Sequence, residues 1–302
     1  MIQTANAPVS YGVFALARPE LVPLPDGERL LELVSEAGYD GIDLGPHGYF
    51  GTGQALVDNL AAHGLTLCGG WIDLPFAGAD DAFGAAFAAM LPVLDDFALA
   101  ATQQAGASPK PTIADSGSPE RKAHPGGSVE LELDAEAWTV FVARLDRVQQ
   151  EVQRRGLEPT FHHHASTYIE TPREIERFLA DTTMDLTLDS GHLLVGGGDP
   201  LTGLREWRSR INHIHLKDVD ISVLAQAAGS ANLVRDLWEK RMFVPLGDGD
   251  LDIAAFMAEL LGSGYDQWLV VEQDVVLLNA PDVERAIGDQ VANRVALREW
   301  LA

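Results

Sequence analysis

Four short apolar runs of this sequence each end in histidine, aspartate or glutamate side chains that can bind a divalent metal. They are EPTFHHH (158–164), LTLDSGH (186–192), NHIHLKD (212–218) and WLVVEQD (268–274). Imidazole and carboxylate groups are ligands of metals such as Mn, Co, Fe and Zn. Because a parallel barrel brings the carboxyl ends of its strands together at one mouth, this pattern predicts a metal enzyme.

Glu272 is the strongest candidate ligand because the run that precedes it consists of Trp and aliphatic residues. An unpaired buried carboxylate is costly, and a metal or a cationic partner removes that cost. Asp189 ends its run and is either a ligand or the cap of an Asp-Ser-Gly turn. Of His213 and His215, which share a strand, we expect one to face the barrel centre and one the helix layer. The position in the strand favours His215 as the inward residue.

Three consecutive histidines, His162, His163 and His164, are difficult to place in an apolar core without partners. Side chains alternate along a strand, so His162 and His164 should share a face. We expect at least one of the three to bind a metal or a substrate.

Further polar and aromatic side chains lie near predicted strand ends, and each has two interpretations. Asp43 either belongs to the site or forms a plain salt bridge. Lys217 contacts a substrate oxygen or pairs with Asp218, and Trp71 forms a pocket wall or belongs to the core. Asp115 binds substrate or caps a turn.

Strand-like runs alternate with helix-like runs, which is typical of a parallel sheet with crossover helices. The predicted strands lie at 4–10, within 38–45, and at 65–71, 110–116, 158–164, 185–189, 211–217 and 268–273. Eight strand–helix pairs in 302 residues predict a single (β/α)8 TIM barrel that spans residues 1–302. The alternative, an open doubly wound sheet, is disfavoured because no glycine-rich phosphate turn follows the first strand.

Two long segments follow predicted strands and should therefore lie at the catalytic mouth. Residues 117–128 are polar and are predicted to form a loop. Residues 219–250 are an insert after the seventh strand, with a helical part near 231–240 and a Gly-Asp-rich turn at 245–250. We expect both segments to select the substrate and to exclude water.

The composition restricts the partners of this protein. The formal net charge is −24 and the sequence pI is about 4.5, so the surface should repel nucleic acids and anionic lipids. The single cysteine excludes an internal disulfide and a cysteine-based zinc cluster. With no long apolar run and no signal-peptide pattern, we expect a cytoplasmic protein without a membrane partner. The sequence does not distinguish a monomer from a homo-oligomer.

Seven motifs together resemble the inosose dehydratase branch of the xylose isomerase-like sugar phosphate isomerase/epimerase superfamily. They are NAPVSYG, GYDGIDLGPHGY, HHHASTYIET, LDSGHLLVGGGDP, INHIHLKDV, PLGDGDLD and GYDQWLVVEQD, between Asn6 and Asp274. The most specific are LDSGHL, HIHLKD and VVEQD. The resemblance implies a TIM barrel with one divalent ion, foremost Mn or Co, with Mg, Fe or Zn as alternatives.

The resemblance also implies roles for individual residues. It gives Asp189, His215 and Glu272 as metal ligands and His192 as a substrate contact. Most of the superfamily has Glu on the fifth strand, whereas this chain has His162 there. The fourth ligand is expected to be His162 or His164, and the resemblance leaves the choice between them open.

The function implied by this resemblance is a metal-dependent dehydration of a polyol ketone such as 2-keto-myo-inositol. Glu272 or a histidine would take the proton next to the carbonyl, and a protonated His164 or His192 would help the β-hydroxyl leave. Asp43, Trp71, His192 and Lys217 are the expected substrate contacts. The alternatives are a sugar or inosose isomerase or epimerase at the same site, cleavage of a C-glycoside, and a non-catalytic sugar-binding barrel. The acidic charge disfavours an endonuclease.

Overall fold

The fold is a closed barrel of parallel strands surrounded by helices, in a computed structural model that describes residues 2–227 and 233–301. The strands in these residues are β1 (Gln3–Asn6), β2 (Gly41–Asp43), β3 (Thr66–Leu74), β4 (Lys110–Asp115), β5 (Thr160–His162), β6 (Asp185–Asp189), β7 (Ile211–Leu216), β8 (Asp218–Val219), β9 (Phe243–Val244) and β10 (Trp268–Val271). Strands β1–β7 and β10 form the barrel, and β8 pairs with β9 outside it.

The barrel closes because its first strand pairs with its last, with Gln3 opposite Trp268. All eight barrel pairings are parallel. This closure confirms the predicted (β/α)8 fold and excludes the open doubly wound sheet.

Helices follow the barrel strands and cover the outside of the barrel. Those in the described residues are α1 (Gly27–Ala37), α2 (Gln54–Ala62), α3 (Asp80–Gln103), α4 (Pro119–Ala123), α5 (Ala135–Gln153), α6 (Pro172–Asp181), α7 (Ser190–Val195), α8 (Pro200–Glu206), α9 (Ser222–Ala227), α10 (Leu233–Glu239), α11 (Ile253–Gly262) and α12 (Ala280–Leu301).

Local sequence signals determine where several helices begin and end. The Asp26 side chain accepts the Arg29 backbone N–H at the start of α1, and Gly38 ends that helix at a φ of 86°. Thr171 and Glu174 form a reciprocal capping box at the start of α6. These caps satisfy backbone groups that would otherwise lack partners at the helix ends.

The predicted element boundaries are correct where periodicity and caps agree. Strand β6 has the predicted limits, 185–189. Strand β5 ends at His162, so His164 lies beyond its ladder. Strand β10 ends at Val271, one residue before Glu272, whose backbone N–H still donates to the Leu216 carbonyl of β7. The sequence pattern predicted longer strands, because the apolar residues and the site residues that follow them continue beyond the last paired residue of each strand.

The main hydrophobic core lies between the barrel and the surrounding helices. It contains a contiguous aromatic group of Phe76, Phe141, Phe161 and Phe178. Helix α3 is long and apolar enough to cross a membrane by length and composition. However, its Phe83, Leu94 and Phe97 side chains are buried in this core, as in the covering helix of a barrel.

The segments at the barrel mouth contain more regular structure than the sequence indicated. Residues 117–128 were expected to be a loop, but α4 lies within them, started by a Ser118 cap. The insert contains α9, α10 and the β8–β9 ribbon. The predicted helix at 231–240 corresponds to α10, and its first two positions lie outside the described residues. Helix α10 contacts α4, so the two segments meet.

The insert is anchored by Asp218, which is fully buried at the start of β8. Its carboxylate accepts backbone N–H groups from Val219, Gly247, Gly249 and Leu251 at 2.9–3.0 Å. A Cβ atom at Gly249 would lie 2.3 Å from the Asp218 carboxylate, so this close approach requires glycine. Asp218 therefore organises the Gly-Asp-rich turn and does not pair with Lys217.

Replacing Asp218 with Asn should destabilise the insert, because an amide offers one acceptor oxygen in place of two. We expect the free energy of unfolding to fall by about 1–3 kcal/mol, the usual effect of leaving buried donors unpaired. Urea denaturation measures that loss, and limited proteolysis within 219–250 locates it.

The matched control is Asp248→Asn, because Asp248 is exposed in the same turn. Equal effects of the two substitutions would show that Asp218 does not anchor the insert.

Candidate active site

Four side chains from neighbouring barrel strands converge at the mouth. His162 ends β5, Asp189 ends β6, His215 lies near the end of β7, and Glu272 follows β10. His162 Nε2 lies 3.1 Å from His215 Nδ1 and 3.4 Å from Asp189 Oδ2. Glu272 Oε2 lies 3.1 Å from His215 Nδ1. All four residues are buried, and their donor atoms lie within 4.8 Å of one another.

The four donors fit one divalent metal ion. The Asp189 Oδ1 atom accepts the His192 backbone N–H at 2.8 Å, whereas Asp189 Oδ2 is buried without a hydrogen-bond partner among the described residues. His163 Nε2 accepts the Asp189 backbone N–H at 3.2 Å and so holds the end of β6. Two imidazoles and two carboxylates form a donor set that suits ions such as Zn, Co, Fe or Mn.

Lys217 places a permanent positive charge beside this donor set. Its Nζ atom lies 2.7 Å from Asp274 Oδ1, 3.0 Å from Glu272 Oε2 and 3.3 Å from Asp189 Oδ2. The aliphatic stem of Lys217 passes over Gly191, where a Cβ atom would lie 2.7 Å from Lys217 Cγ. Glycine at 191 therefore leaves the room that the lysine needs to reach the site.

Charge pairing outweighs burial for the two carboxylates of the metal set. Burial alone would raise the pKa of Glu272, but His215 and Lys217 hold it well below its usual range. Burial likewise opposes ionisation of Asp189, yet Lys217 and His192 lower its pKa. Both groups are therefore anionic, as metal ligands must be.

A second group of side chains lies on the other side of Lys217. It comprises His164, His192 and Asp274, which offer donor atoms within 4.8 Å of one another. The His164 and His192 ring centroids are 3.6 Å apart. Lys217 Nζ lies 3.1 Å from His192 Nε2 and 2.7 Å from Asp274 Oδ1. The lysine ammonium thus occupies the place where a second cation would bind this group.

Hydrogen bonding assigns different proton positions to His164 and His192. An ammonium only donates, so His192 Nε2 accepts from Lys217 and the neutral ring carries its proton on Nδ1. A carbonyl only accepts, so His164 Nδ1 donates to the Ala165 carbonyl at 2.7 Å and His164 Nε2 is an acceptor. His192 therefore offers a donor and His164 an acceptor.

Both imidazoles are neutral in this environment. Burial lowers the pKa of His164 to about 3, with further lowering by His162 and Lys217. Burial, His164 and Lys217 hold the pKa of His192 well below its usual range. A protonated histidine acid, as expected from the sequence, is therefore disfavoured in the resting site. Lys217 is the protonated group, because three carboxylates raise its pKa against the effect of burial.

The remaining predicted site residues take different positions. Trp71 is 39% exposed at the mouth, and its ring meets the edges of His162 and His164 at centroid distances of 5.3 and 5.0 Å. Asp43 is buried near Glu272, and burial together with that charge raises its pKa to about 6. Asp115 accepts backbone N–H groups from Gly117 and Tyr168, so it caps a turn.

One expectation about β7 is wrong. His213 does not face the helix layer but lies inside the barrel with His215, at a ring distance of 5.2 Å. A Cβ atom at Gly69 of β3, a strand not adjacent to β7, would lie 3.1 Å from His213 Nε2. Residues two apart on a strand share a face, which would have predicted this arrangement.

Sequence reasoning missed Asp274 and the two aromatic residues of the insert that reach the site. Asp274 was identifiable, because it alternates with Glu272 and so should share its side of the chain. Trp238 and Phe243 carry no such signal. They reach the site only through the folding of the insert, and Phe243 meets the edge of the His192 ring at 5.4 Å.

The relatives of this sequence include a rhizopine catabolism protein and inosose dehydratases. A rhizopine catabolism protein, MocC, from Rhizobium meliloti is 31% identical over 261 residues, which cover 85% of this chain and 77% of the relative. An inosose dehydratase from Geobacillus kaustophilus is 33% identical over 157 residues, 51% of each chain. In that match, the chain spans about half the length of the inosose dehydratase.

Solved structures share the fold over nearly the whole chain. An L-ribulose 3-epimerase superposes with a TM-score of 0.67 at 19% identity, covering 100% of this chain and 95% of the other. The IOLI protein, solved with a zinc atom, superposes with a TM-score of 0.64 at 14% identity and covers 98% of this chain and 97% of the other. Residues 31–288 match the family described as the xylose isomerase-like TIM barrel. With the closed barrel and the ligand set at its mouth, this match shows that the chain belongs to the xylose isomerase-like TIM barrel family.

Proposed function

We propose that this protein is a metal-dependent lyase that removes water from a polyol ketone of the inosose type. The observation that carries the proposal is the pairing of a four-donor metal set with a separate acid–base group, His164, His192, Asp274 and Lys217, on one side of it. The similarity to inosose dehydratases over half the chain supports the same reaction.

The proposed ligands are His162, Asp189, His215 and Glu272, and the ion is Mn or Co foremost, with Zn, Fe or Mg as alternatives. When bound, the ion supplies a Lewis acid that polarises the ketone of the substrate. His164 Nε2 is then left for chemistry, because Nδ1 of the same ring is bound to the main chain and the ring lies against His192 at a centroid distance of 3.6 Å.

Elimination needs a base at the carbon next to the carbonyl and an acid at the departing hydroxyl. His164 Nε2 and the Glu272 carboxylate are the two candidate acceptors of the carbon-bound proton. The C–O bond of the β-hydroxyl then breaks, and that oxygen leaves as water after receiving a proton. His192 Nδ1–H is the proposed donor, and it is reprotonated through Nε2 from the Lys217 ammonium, 3.1 Å away.

The pocket suits an uncharged, hydroxyl-rich substrate. Trp71 offers an exposed aromatic wall, and Asp43, Lys217 and His192 offer polar contacts. Lys217 is already matched by three carboxylates, which leaves little positive potential for a phosphate or a carboxylate on the substrate.

An isomerase or epimerase is the second candidate function. It would use the same metal ligands and the same proton abstraction, and would return the proton to carbon without losing water. The candidate carboxylate Asp43, buried beside Glu272 with a pKa raised to about 6, favours this alternative as a second proton carrier.

Activity should require one ion per chain. Removing a ligand by Asp189→Asn or His162→Ala should lower the metal affinity by at least about 10²-fold, since even outer-sphere partners contribute 10- to 100-fold. Elemental analysis after chelation and reloading with Mn or Co gives the metal content, and activity is followed in parallel.

His124→Gln is the control for histidine loss, because His124 is exposed on the segment between β4 and α5. It should leave the metal content at one ion per chain. Full activity in metal-free wild-type protein would refute the metal-dependent mechanism.

Dehydration and isomerisation are separated by two measurements on the same substrate. Both reactions exchange the hydrogen next to the carbonyl with solvent deuterium, but only dehydration produces the ultraviolet chromophore of a diketone. We expect His192→Gln to retain metal and exchange while elimination falls by about 10²- to 10⁴-fold, the usual contribution of one acid–base group.

His164→Gln should lower exchange and elimination together if His164 is the base. Retained exchange with lost elimination would instead make His164 the acid, and loss of metal would make it a ligand. Wild-type protein that exchanges hydrogen and isomerises inosose without forming a diketone would establish the second candidate function.

A further inference from the structure

The insert over the barrel mouth carries a second hydrophobic cluster, separate from the main core. Its members within the insert include Val219, Leu237, Trp238, Met242 and Phe243. Its remaining buried members, Ala165, Val195 and Val276, belong to the segments that carry His164, His192 and Asp274. The acid–base group is therefore supported by the insert, whereas the metal ligands lie on barrel strands or directly after one.

Trp238 is the residue of this cluster that touches the acid–base group most extensively. It is 2% exposed, and its indole Nε1–H donates to Asp274 Oδ2 at 3.2 Å. Its ring lies near-parallel to His164 and His192, each at a centroid distance of 6.4 Å. A single side chain thus meets three of the four members of the group.

Trp238 is linked to Lys217 through Asp274 and Phe243. Asp274 uses its other oxygen, Oδ1, to hold Lys217 Nζ at 2.7 Å. Phe243 packs edge-on against Trp238 at 5.0 Å and lies 5.0 Å below the same ammonium. Lys217 therefore sits between a carboxylate oriented by Trp238 and an aromatic face from the same insert.

We propose that Trp238 is a positioning residue for water elimination. Its N–H fixes the rotamer of Asp274, whose other oxygen holds Lys217 Nζ within 3.1 Å of His192 Nε2. This inference rests on the proposed function, and it gives the insert a part in the chemistry in addition to covering the mouth. Residues of the insert, and not of the barrel, would then determine whether loss of water follows proton abstraction.

The test is Trp238→Phe, which removes the indole N–H and retains an aromatic ring. A hydrogen bond to a charged group accounts for about 10- to 100-fold, so diketone formation should fall by that factor. Solvent deuterium exchange should stay within about threefold of wild type, and metal content should stay at one ion per chain. A purely structural role would instead change exchange and elimination together.

Leu237→Val is the matched control, because Leu237 is fully buried in the same helix and cluster but is not part of the acid–base group. It should leave both rates within about threefold. If it reproduces the Trp238→Phe pattern, general packing of the insert is responsible and the proposal fails. The double variant Trp238→Phe, Asp274→Asn should lose no more than Asp274→Asn alone, because the two residues act through one contact. Independent, multiplicative losses would overturn the proposal.

The contact between Trp238 and Asp274 can also be tested without any assumption about the reaction. The probe is the NMR resonance of the Trp238 indole N–H, which is assigned by its loss in Trp238→Phe. Asp274→Asn should shift this resonance and speed its exchange with solvent; an unchanged resonance would refute the contact. If wild type isomerises instead of eliminating water, the proposed function is wrong. The contact between Trp238 and Asp274 is then judged by this resonance alone, because the proposed positioning role concerns only the loss of water.

Discussion

The structure of this site depends on the balance of charge at the mouth of the barrel. Asp43, Asp189, Glu272 and Asp274 all lie buried there, at 8% exposure or less. Uncompensated carboxylates in such a place are strongly disfavoured, and they either gain a proton or require cations. Lys217 supplies one cation and contacts three of the four. The convergence of the four metal donors provides for a second, divalent one.

The barrel geometry gives the three consecutive histidines different positions and different contacts. His162 is the last residue of β5 and faces inward to the metal donors. His163 faces the other way, towards β6, and holds the Asp189 backbone. His164 lies beyond the ladder, where its ring packs at a tilt against His192. The alternation of side chains and the end of the strand together separate a ligand, a support and a candidate base.

The two parts of the site are therefore held in place by different elements of the structure. The metal donors lie on or directly after strands of the closed barrel, within or next to the main core, and their positions depend on the sheet register, such as Asp189 opposite His215. The acid–base group is backed by the insert through its own apolar cluster. Regions with a small separate core open more readily than a main core.

The barrel and most of the candidate metal donors could be predicted from the sequence. The alternation of apolar runs with helical periodicity predicted the eight strands, and an acid at the end of an apolar run identified Glu272. Because parallel strands end at one mouth, Asp189 and His215 followed from their places at strand ends, whereas the choice between His162 and His164 stayed open.

The proposed roles of Lys217, Asp274 and Trp238 became apparent only in the folded structure. These roles depend on contacts between residues distant in the chain, such as Trp238 with Asp274 and His164 with His192, which no local pattern encodes. The folded structure also places both β7 histidines inside the barrel and indicates which ring nitrogen of His164 and of His192 carries the proton. A tautomer is set by whichever partner the fold brings to each nitrogen, and that partner is unknown until the chain has folded.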